Sequence, residues 1–388
     1  MHSTTKDISS QSHPASAAVS EPRVLIAAGG TGGHVYPAIA IANAVKEECP
    51  DATILFVGTR DHMEWRVVPD AGYDIVSIWI SGLHRRFTFK NLVFPVKLVV
   101  SLMQSYSIIG QFDPEVVVSC GGYVAGPVGW IAAKRGIPLV IQEQNSFPGV
   151  TNRMLAKHAE VIFTAFRDAD QYLPKDKTVL AGNPTRKELA GADHAQACHE
   201  YDFDPSKPVL LILGGSGGAR SINDAVVHNL VDLHDEMELQ IIWQCGKKYY
   251  DELRARIDKQ PFVNLRLKDF IHNMKQAYAA ADLIVSRAGA LSCAEIALTG
   301  TPSILVPSPN VAGDHQTRNA ESMAEEGASI LVNDDQLRQQ LSEVVKSLIH
   351  DRDRLDSMSH AAKQLAKPDA SKRIAEEIIE LVKVQQKG

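Results

Sequence analysis

Several things are scarce in this chain of 388 residues, and each scarcity excludes a class of protein. Its five cysteines (Cys49, Cys120, Cys198, Cys245 and Cys293) are odd in number, far apart and without a Cys-x-x-Cys pair, which argues against a disulfide framework or a zinc knot and for a reducing compartment. An excess of basic residues is missing. Forty Lys and Arg stand against 46 Asp and Glu, a net charge of -6, so no general nucleic-acid-coating surface is expected and an anionic ligand must be held locally. Residues 1–20 are rich in Ser, Thr and Ala but lack an apolar segment; they read as a disordered tail rather than a signal peptide. No Gly-x-x-x-x-Gly-Lys-[Ser/Thr] string occurs, which removes support for a Walker-type phosphate loop. With 45% hydrophobic and 22% charged residues the composition is otherwise that of an ordinary globular chain, long enough for two domains.

What is present is a rhythm of short apolar runs alternating with amphipathic stretches. VLIAA (24–28), TILFVG (53–58), VVVSC (116–120), PLVIQ (138–142) and VIFTAF (161–166) read as buried strands of a parallel sheet. The pattern restarts with VLLILGG (209–215) and continues through LQIIWQ (239–244), VNLRL (263–267), DLIVSR (282–287) and PSILVP (302–307). The α/β class follows, with two doubly wound, Rossmann-like domains. Gly182-Asn183-Pro184 is a turn signal after TVLAG and marks the hinge, giving a first domain at 21–183 and a second at 184–366.

The two halves echo each other. VLIAAGGTGGHVYPAIAIANAV (24–45) aligns without gaps on VLLILGGSGGARSINDAVVHNL (209–230), each half opening strand, glycine cluster, helix. Glycines at that junction let main-chain N–H groups approach a ligand, and the helix N-terminus beyond carries partial positive charge, a combination suited to a phosphate or diphosphate. A dinucleotide fingerprint is not made: Gly30-x-Gly32-Gly33 lacks the third glycine, and the second strand ends in Gly58-Thr59-Arg60 rather than an acid.

Only the first loop gains a titratable group, His34, where the second has Ala219. A histidine beside a glycine loop can serve as general base or partner a carboxylate; the plainer reading is a histidine packing on its own helix. In the second half, Ser286 to Glu295 runs from strand end through a glycine turn into a helix whose first N–H groups could meet a diphosphate. Glu295, one turn in, could grip a sugar diol or merely offset the helix dipole. Residues 75–112 contain no Asp or Glu, yet carry Arg85, Arg86, Lys90 and Lys97 among Trp79, Leu83, Phe87, Phe89, Leu92 and Phe94. That mixture suits a surface resting on anionic lipid, or an amphipathic helix pair with a solvated basic face. Pro95 and Lys97 interrupt the stretch, so that no unbroken apolar run reaches membrane-spanning length. The Asp168-Asp170, Asp202-Asp204 and Asp351-Asp353 pairs read as solvated, and no metal site is expected.

Taken together, Gly29 to His34, Gly121-Gly122-Tyr123, Glu143-Gln144-Asn145, Thr151-Asn152, Gly182-Asn183-Pro184, Gly214 to Arg220, Phe270-Ile271 and Gly289-Ala290-Leu291 resemble the MurG family of N-acetylglucosaminyltransferases over residues 24 to about 320. The resemblance implies a GT-B architecture, two Rossmann-like domains facing a cleft, with a C-terminal helix from about 367 to 388 crossing back to the first. It implies peptidoglycan synthesis, and through it cell shape and division, at the cytoplasmic face of the inner membrane. It implies a UDP-GlcNAc donor, an undecaprenyl-pyrophosphoryl-muramyl-pentapeptide acceptor, no cofactor, and an inverting transfer to the muramyl C4 hydroxyl. Donor contacts would come from Thr31, Gly32, Gly33, Asn145, Arg186, Ser216, Ile271, the segment Ala290, Leu291, Ser292, Cys293, Ala294 and Glu295, and Gln316; acceptor contacts from His34 and Gly121, Gly122 and Tyr123. His34 is the first candidate for the base and Glu143 the second. Two departures touch the donor set: the family often has Gln where Gly217 stands, and Gln-Gln where His315-Gln316 stands. A lipid glycosyltransferase of the same fold, a UDP-GlcNAc epimerase or a non-catalytic membrane scaffold would share parts of this pattern.

Overall fold

The computed structural model describes residues 21–82, 89–185, 189–259 and 262–387. The tail of residues 1–20 and the expected site residues Leu83, Arg85, Arg86, Phe87 and Arg186 lie outside these, as does the side chain of Lys90.

Thirteen strands form two sheets among the described residues. The first holds β1 (Arg23–Ala27), β2 (Thr53–Gly58), β3 (Asp74–Ser77), β4 (Val116–Ser119), β5 (Leu139–Glu143), β6 (Val161–Thr164) and β7 (Thr178–Leu180), in the order β3-β2-β1-β4-β5-β6-β7. The second holds β8 (Val209–Leu213), β9 (Gln240–Gln244), β10 (Leu265–Lys268), β11 (Leu283–Ser286), β12 (Ser303–Leu305) and β13 (Ser329–Leu331), in the order β10-β9-β8-β11-β12-β13. Neighbouring strands pair parallel throughout, for instance β1 with β4 and β8 with β11. The central strands are covered on both faces, which is why they read as unbroken apolar runs; VLLIL of β8 is buried along its whole length. β3 and β13 are edge strands of four and three residues, too short to announce themselves by periodicity.

In both sheets the strand order reverses beside the first strand of the half. A crevice opens there at the carboxyl ends, where doubly wound folds bind ligands. The first glycine cluster follows β1 and Gly121-Gly122-Tyr123 follows β4; the second cluster follows β8 and Arg287-Ala288-Gly289 follows β11. Sequence repetition and sheet reversal therefore coincide.

The last helix, Ala370–Lys387, returns to the first domain. Ile374, Ala375, Ile378, Ile379 and Val382 recur at helical spacing and are buried in one core with Ala38, Ile41, Ala42 and Val45 of the helix Gly32–Glu48. At roughly 1.5–3 kcal/mol for each fully buried large aliphatic side chain, this seam anchors the crossing firmly.

The helix Phe89–Phe112 differs from the rest. Ser101, Ser105 and Ile109, four residues apart, are buried on the side facing the helix Ala125–Lys134. Val96, Val99, Met103 and Tyr106 form the opposite stripe and are exposed, Met103 to 68% and Tyr106 to 60%. By length and composition the segment Val93–Phe112 could cross a membrane, with a mean hydropathy of 1.4. The expectation that no unbroken apolar run reaches spanning length stands, since Pro95 and Lys97 lie within the segment and only its average passes. Its buried serine stripe is engaged with the domain, so the helix presents one apolar face outward. Cations ring that face: Lys97 lies 5.5 Å over Trp79, Lys134 5.0 Å over Trp130 and Arg135 5.0 Å over Tyr106.

Candidate active site

Two glycine loops of the first domain meet backbone to backbone. A Cβ on Gly122, which has φ +82°, would lie 2.2 Å from the carbonyl oxygen of Gly29, and one on Gly121, φ +94°, would lie 2.8 Å from His34 Nδ1. Glycine is therefore required for the loop after β4 to slide beneath the first cluster and for the His34 ring to fit over it. A residue far away in sequence completes the arrangement. The fully buried Glu64 accepts hydrogen bonds from the Gly30 N–H (3.2 Å), the Thr59 N–H (3.1 Å) and the Thr59 hydroxyl (2.7 Å), fastening the first cluster to the end of β2.

His34 lies in the first turn of Gly32–Glu48, and its Nδ1 is 2.9 Å from Gln144 Oε1. Burial holds its pKa below the ordinary histidine value; the negative charge of Glu143 and the bonds to Gln144 and the Cys120 carbonyl oppose that shift, and His315 reinforces it. Burial thus favours the neutral ring, the form in which one nitrogen can accept a proton.

Glu143 is spent elsewhere. Oε1 accepts from the main chain and side chain of Asn145 (2.9 and 3.3 Å); Oε2 accepts from Gly149 N–H (3.0 Å) and Asn152 Nδ2 (2.8 Å). Buried and carrying four donors, the carboxylate organises the loop after β5 and is poorly placed to leave its partners for a substrate proton. The geometry favours His34 over Glu143.

In the second domain, Gln244 joins the glycine cluster to the next loop, donating to the Gly215 carbonyl (3.1 Å) and accepting from Ile271 N–H (2.8 Å). Ser216 is exposed at the tip of the cluster. The helix Ala290–Thr299 starts at an extended Gly289, and its geometry leaves the N–H groups of Ala290, Leu291 and Ser292 without intrahelical acceptors. Glu295 accepts from the Tyr278 hydroxyl at 3.0 Å, and Gln316 Oε1 accepts from Ser308 N–H at 2.9 Å. Cys293 sits within the expected donor segment, but its thiol is buried in the core and its N–H donates to Gly289 O (2.9 Å); burial pushes the thiol up to about 12. Ile271 likewise turns its side chain into the core. Under all of this, Arg287 bonds Asp334 (2.5 Å), Ser221 (2.7 Å) and the carbonyls of Val306 and Pro307 (both 3.1 Å).

The domains meet through amides. Asn319 accepts from Ser146 N–H and hydroxyl (both 3.0 Å) and donates to Ala288 O (3.2 Å) and Asn145 Oδ1 (3.4 Å). Asn183 donates to Ala290 O at 3.2 Å. His34, Asn145 and the start of the Ala290 helix are thereby brought to one cleft. Tyr123 is half exposed and packs beside Gly82; Trp79 lies out on the cationic, apolar face. Two of the Asp-x-Asp pairs serve a local turn and a cap, Asp204 accepting from Ser206 and Asp351 capping the helix Arg352–Leu365, whereas Asp170, expected to be solvated, is partly buried and accepts from the Thr164 hydroxyl (3.0 Å). Among the described residues no cluster of His, Cys, Asp and Glu is suited to a metal ion.

Sequence reasoning gave no role to Glu64, Gln142, Gln144, Gln244, Arg287 or Asp334. Gln144 and Arg287 lay within the motifs considered; for the distant acids Glu64 and Asp334 the sequence carried no signal.

Comparison with known proteins identifies the family. Residues 24–164 match the glycosyltransferase family 28 N-terminal domain and residues 209–374 the glycosyltransferase family 28 C-terminal domain. A protein of Flavobacterium psychrophilum named UDP-N-acetylglucosamine--N-acetylmuramyl-(pentapeptide) pyrophosphoryl-undecaprenol N-acetylglucosamine transferase is 45% identical over 365 residues, which is 94% of this chain and 98% of that one. A protein of the same name from Salinibacter ruber is 46% identical over 360 residues, 93% of this chain and 97% of its own. The crystal structure of Acinetobacter baumannii MurG superposes with a TM-score of 0.74 at 30% identity, covering 93% of this chain and 99% of that chain.

Proposed function

The chain belongs to glycosyltransferase family 28, as an N-acetylglucosaminyltransferase of peptidoglycan synthesis with the GT-B fold, and from that premise we propose that it moves GlcNAc from UDP-GlcNAc to the C4 hydroxyl of undecaprenyl-pyrophosphoryl-muramyl-pentapeptide with inversion. The hydroxyl oxygen attacks the anomeric carbon on the face opposite UDP. The bond from that carbon to the phosphate oxygen breaks, UDP leaves with the electron pair, and the hydroxyl proton passes to His34. An α-linked donor yields a β-1,4 product.

The observation that carries this reading is the placement of His34: a half-buried imidazole beside the first glycine cluster whose Nδ1 is engaged by Gln144, so that in the neutral form, which burial favours, its other nitrogen can take a proton. Across the cleft, the N–H groups of Ala290 to Ser292, Ser216 at the tip of the second glycine cluster, and Arg186 would meet the diphosphate. Fixed donors in a water-poor cleft stabilise a leaving anion without reorganising. Glu295, steadied by Tyr278, would take the ribose hydroxyls; Thr31, Gly32, Gly33, Asn145 and Gln316 would line the sugar. Gly121, Gly122 and Tyr123 would border the acceptor.

The acceptor stays in a bilayer, which suits a peripheral enzyme resting on the membrane's cytoplasmic face through the Val96–Val99–Met103–Tyr106 stripe and its ring of Lys97, Lys134 and Arg135. Val99→Asp with Met103→Asp should cut binding to anionic phosphatidylglycerol vesicles in a sedimentation assay at least tenfold, with UDP-GlcNAc affinity unchanged. Undiminished sedimentation would remove this face as the docking surface.

The reaction itself is tested by incubating the enzyme with radiolabelled UDP-GlcNAc and a short-chain lipid-linked muramyl-pentapeptide. Labelled disaccharide lipid with a β linkage is expected. Label released as free sugar without acceptor would instead indicate an epimerase or hydrolase.

A further inference from the structure

The His34 to Gln144 bond is one end of a longer buried chain of amides. Gln144 Nε2 faces the carbonyl oxygens of Cys120 (2.7 Å) and Gln142 (3.1 Å) and lies against Gln142 Oε1. Gln142 Nε2 donates to Asn183 Oδ1 (3.1 Å), and Asn183 Nδ2 donates to the carbonyls of Gln144 (3.0 Å) and Ala290 (3.2 Å). Gln142, Gln144 and Asn183 are all at least 95% buried. We propose that Gln144 is a positioning residue that holds His34 as its Nδ1–H tautomer, and that Gln142 and Asn183 tie that tautomer to the seating of the Ala290–Thr299 helix.

The direction of every bond follows from which groups can only accept. Main-chain carbonyls have no proton to give, so Asn183 must present its NH₂ to Gln144 O and Ala290 O and its oxygen to Gln142. Gln142 must then present NH₂ to Asn183 and oxygen to Gln144. Gln144, already facing the Cys120 and Gln142 carbonyls, must present NH₂ to them and oxygen to His34. The imidazole is left one choice: Nδ1 donates, and Nε2 keeps its lone pair. A flip of any amide would set oxygen against oxygen among side chains buried from solvent, which is the cost that makes buried polar chains specific.

The coupling arises because one end of the chain belongs to the other domain. Ala290 is the first residue of the helix that would receive the diphosphate, and it is held by the same NH₂ group that sets the polarity of the relay. The Asn183 side chain lies at the hinge, directly before Pro184. A shift of the second domain that withdrew Ala290 would remove one of the two carbonyls that orient Asn183.

This proposal rests on His34 being the base, and the experiment separates the two claims. Histidine side chains are labelled with ¹⁵N in the full-length protein, and His34 is assigned by comparison with His34→Gln. At pH 8 the expected spectrum shows a protonated Nδ1 and an unprotonated Nε2; the reverse pattern would overturn the relay without any turnover being measured. Gln144→Met removes the acceptor at similar size. It should mix the tautomers and lower kcat roughly 10- to 100-fold, with KM for UDP-GlcNAc unchanged. In Gln144→Glu a carboxylate replaces the amide oxygen beside Nδ1, adding to Glu143 and opposing His315 among the charged groups facing the ring, and the acid limb of kcat/KM should move to higher pH. A Gln144→Met enzyme with wild-type nitrogen shifts and kcat would sink the proposal; should that variant fail to fold, the wild-type spectrum still decides it. An expected spectrum together with full turnover in His34→Ala would overturn the base assignment instead.

Discussion

His34→Ala is expected to lower kcat by about 10²- to 10⁴-fold, the usual contribution of a positioned general base, with KM for UDP-GlcNAc within about twofold of wild type. His34 is assigned to the acceptor and its proton and not to the donor, so donor binding should not sense the loss of this side chain. The pH profile carries the sharper form of the expectation. Burial lowers the pKa of His34, so the neutral, proton-accepting form persists to more acidic pH than an exposed histidine would allow. In the wild type the acid limb of kcat/KM should therefore fall below the unperturbed histidine value of about 6.5. Activity is lost as pH drops through that lowered pKa and is flat above it until another group titrates. The residual rate of His34→Ala should lack this limb. A variant within tenfold of wild-type kcat, or one that keeps the limb, would show that the proton goes elsewhere.

What could be read beforehand was whatever depends on local composition. Central parallel strands are buried on both faces, so β1, β4, β5, β8 and β11 appear as apolar runs, and the glycine clusters appear because a close turn tolerates little else. The edge strands β3 and β13 went unread because short, half-covered strands have neither run nor alternation. The site was legible in residue type and illegible in use. Glu143 at the end of β5 and His34 in the first turn of Gly32–Glu48 both present titratable groups near the cleft, yet only the fold shows that four donors surround the carboxylate while the imidazole has Gln144 at Nδ1. Glu64, Gln142 and Asn183 act through partners 34 to 107 positions away, and the direction of an amide has no trace in sequence. The acid-free stretch showed its basic and apolar composition but not which residues face outward, which depends on which side of Phe89–Phe112 its serines bury.

Arg287→Met should destabilise the second domain by about 3 kcal/mol, toward the lower end of the range for breaking a buried pair, because both side chains keep some solvent contact. Removing the guanidinium leaves the Asp334 carboxylate in a site 20% exposed, with the Ser221 hydroxyl its remaining partner at 2.6 Å. It also strips a donor from Val306 O and Pro307 O, which shape the loop after β12. Adding Asp334→Leu should restore a large part of the loss, since replacing both members of a buried pair is far cheaper than orphaning one. Urea unfolding followed through Trp243, the one tryptophan of residues 184–366, is the measurement. If the single and double variants unfold at the same concentration, the ion pair contributes little, and Arg287 stabilises the domain through the carbonyls it bridges. Ser221 sits in the first turn after the second glycine cluster, so the single variant should also raise KM for UDP-GlcNAc while leaving the His34 acid limb where it was. A KM effect without a limb shift would place the donor on the lobe of Arg287 and the proton chemistry on the lobe of His34. A shifted limb would mean that loosening one lobe is felt in the other, as the amide chain through Asn183 allows.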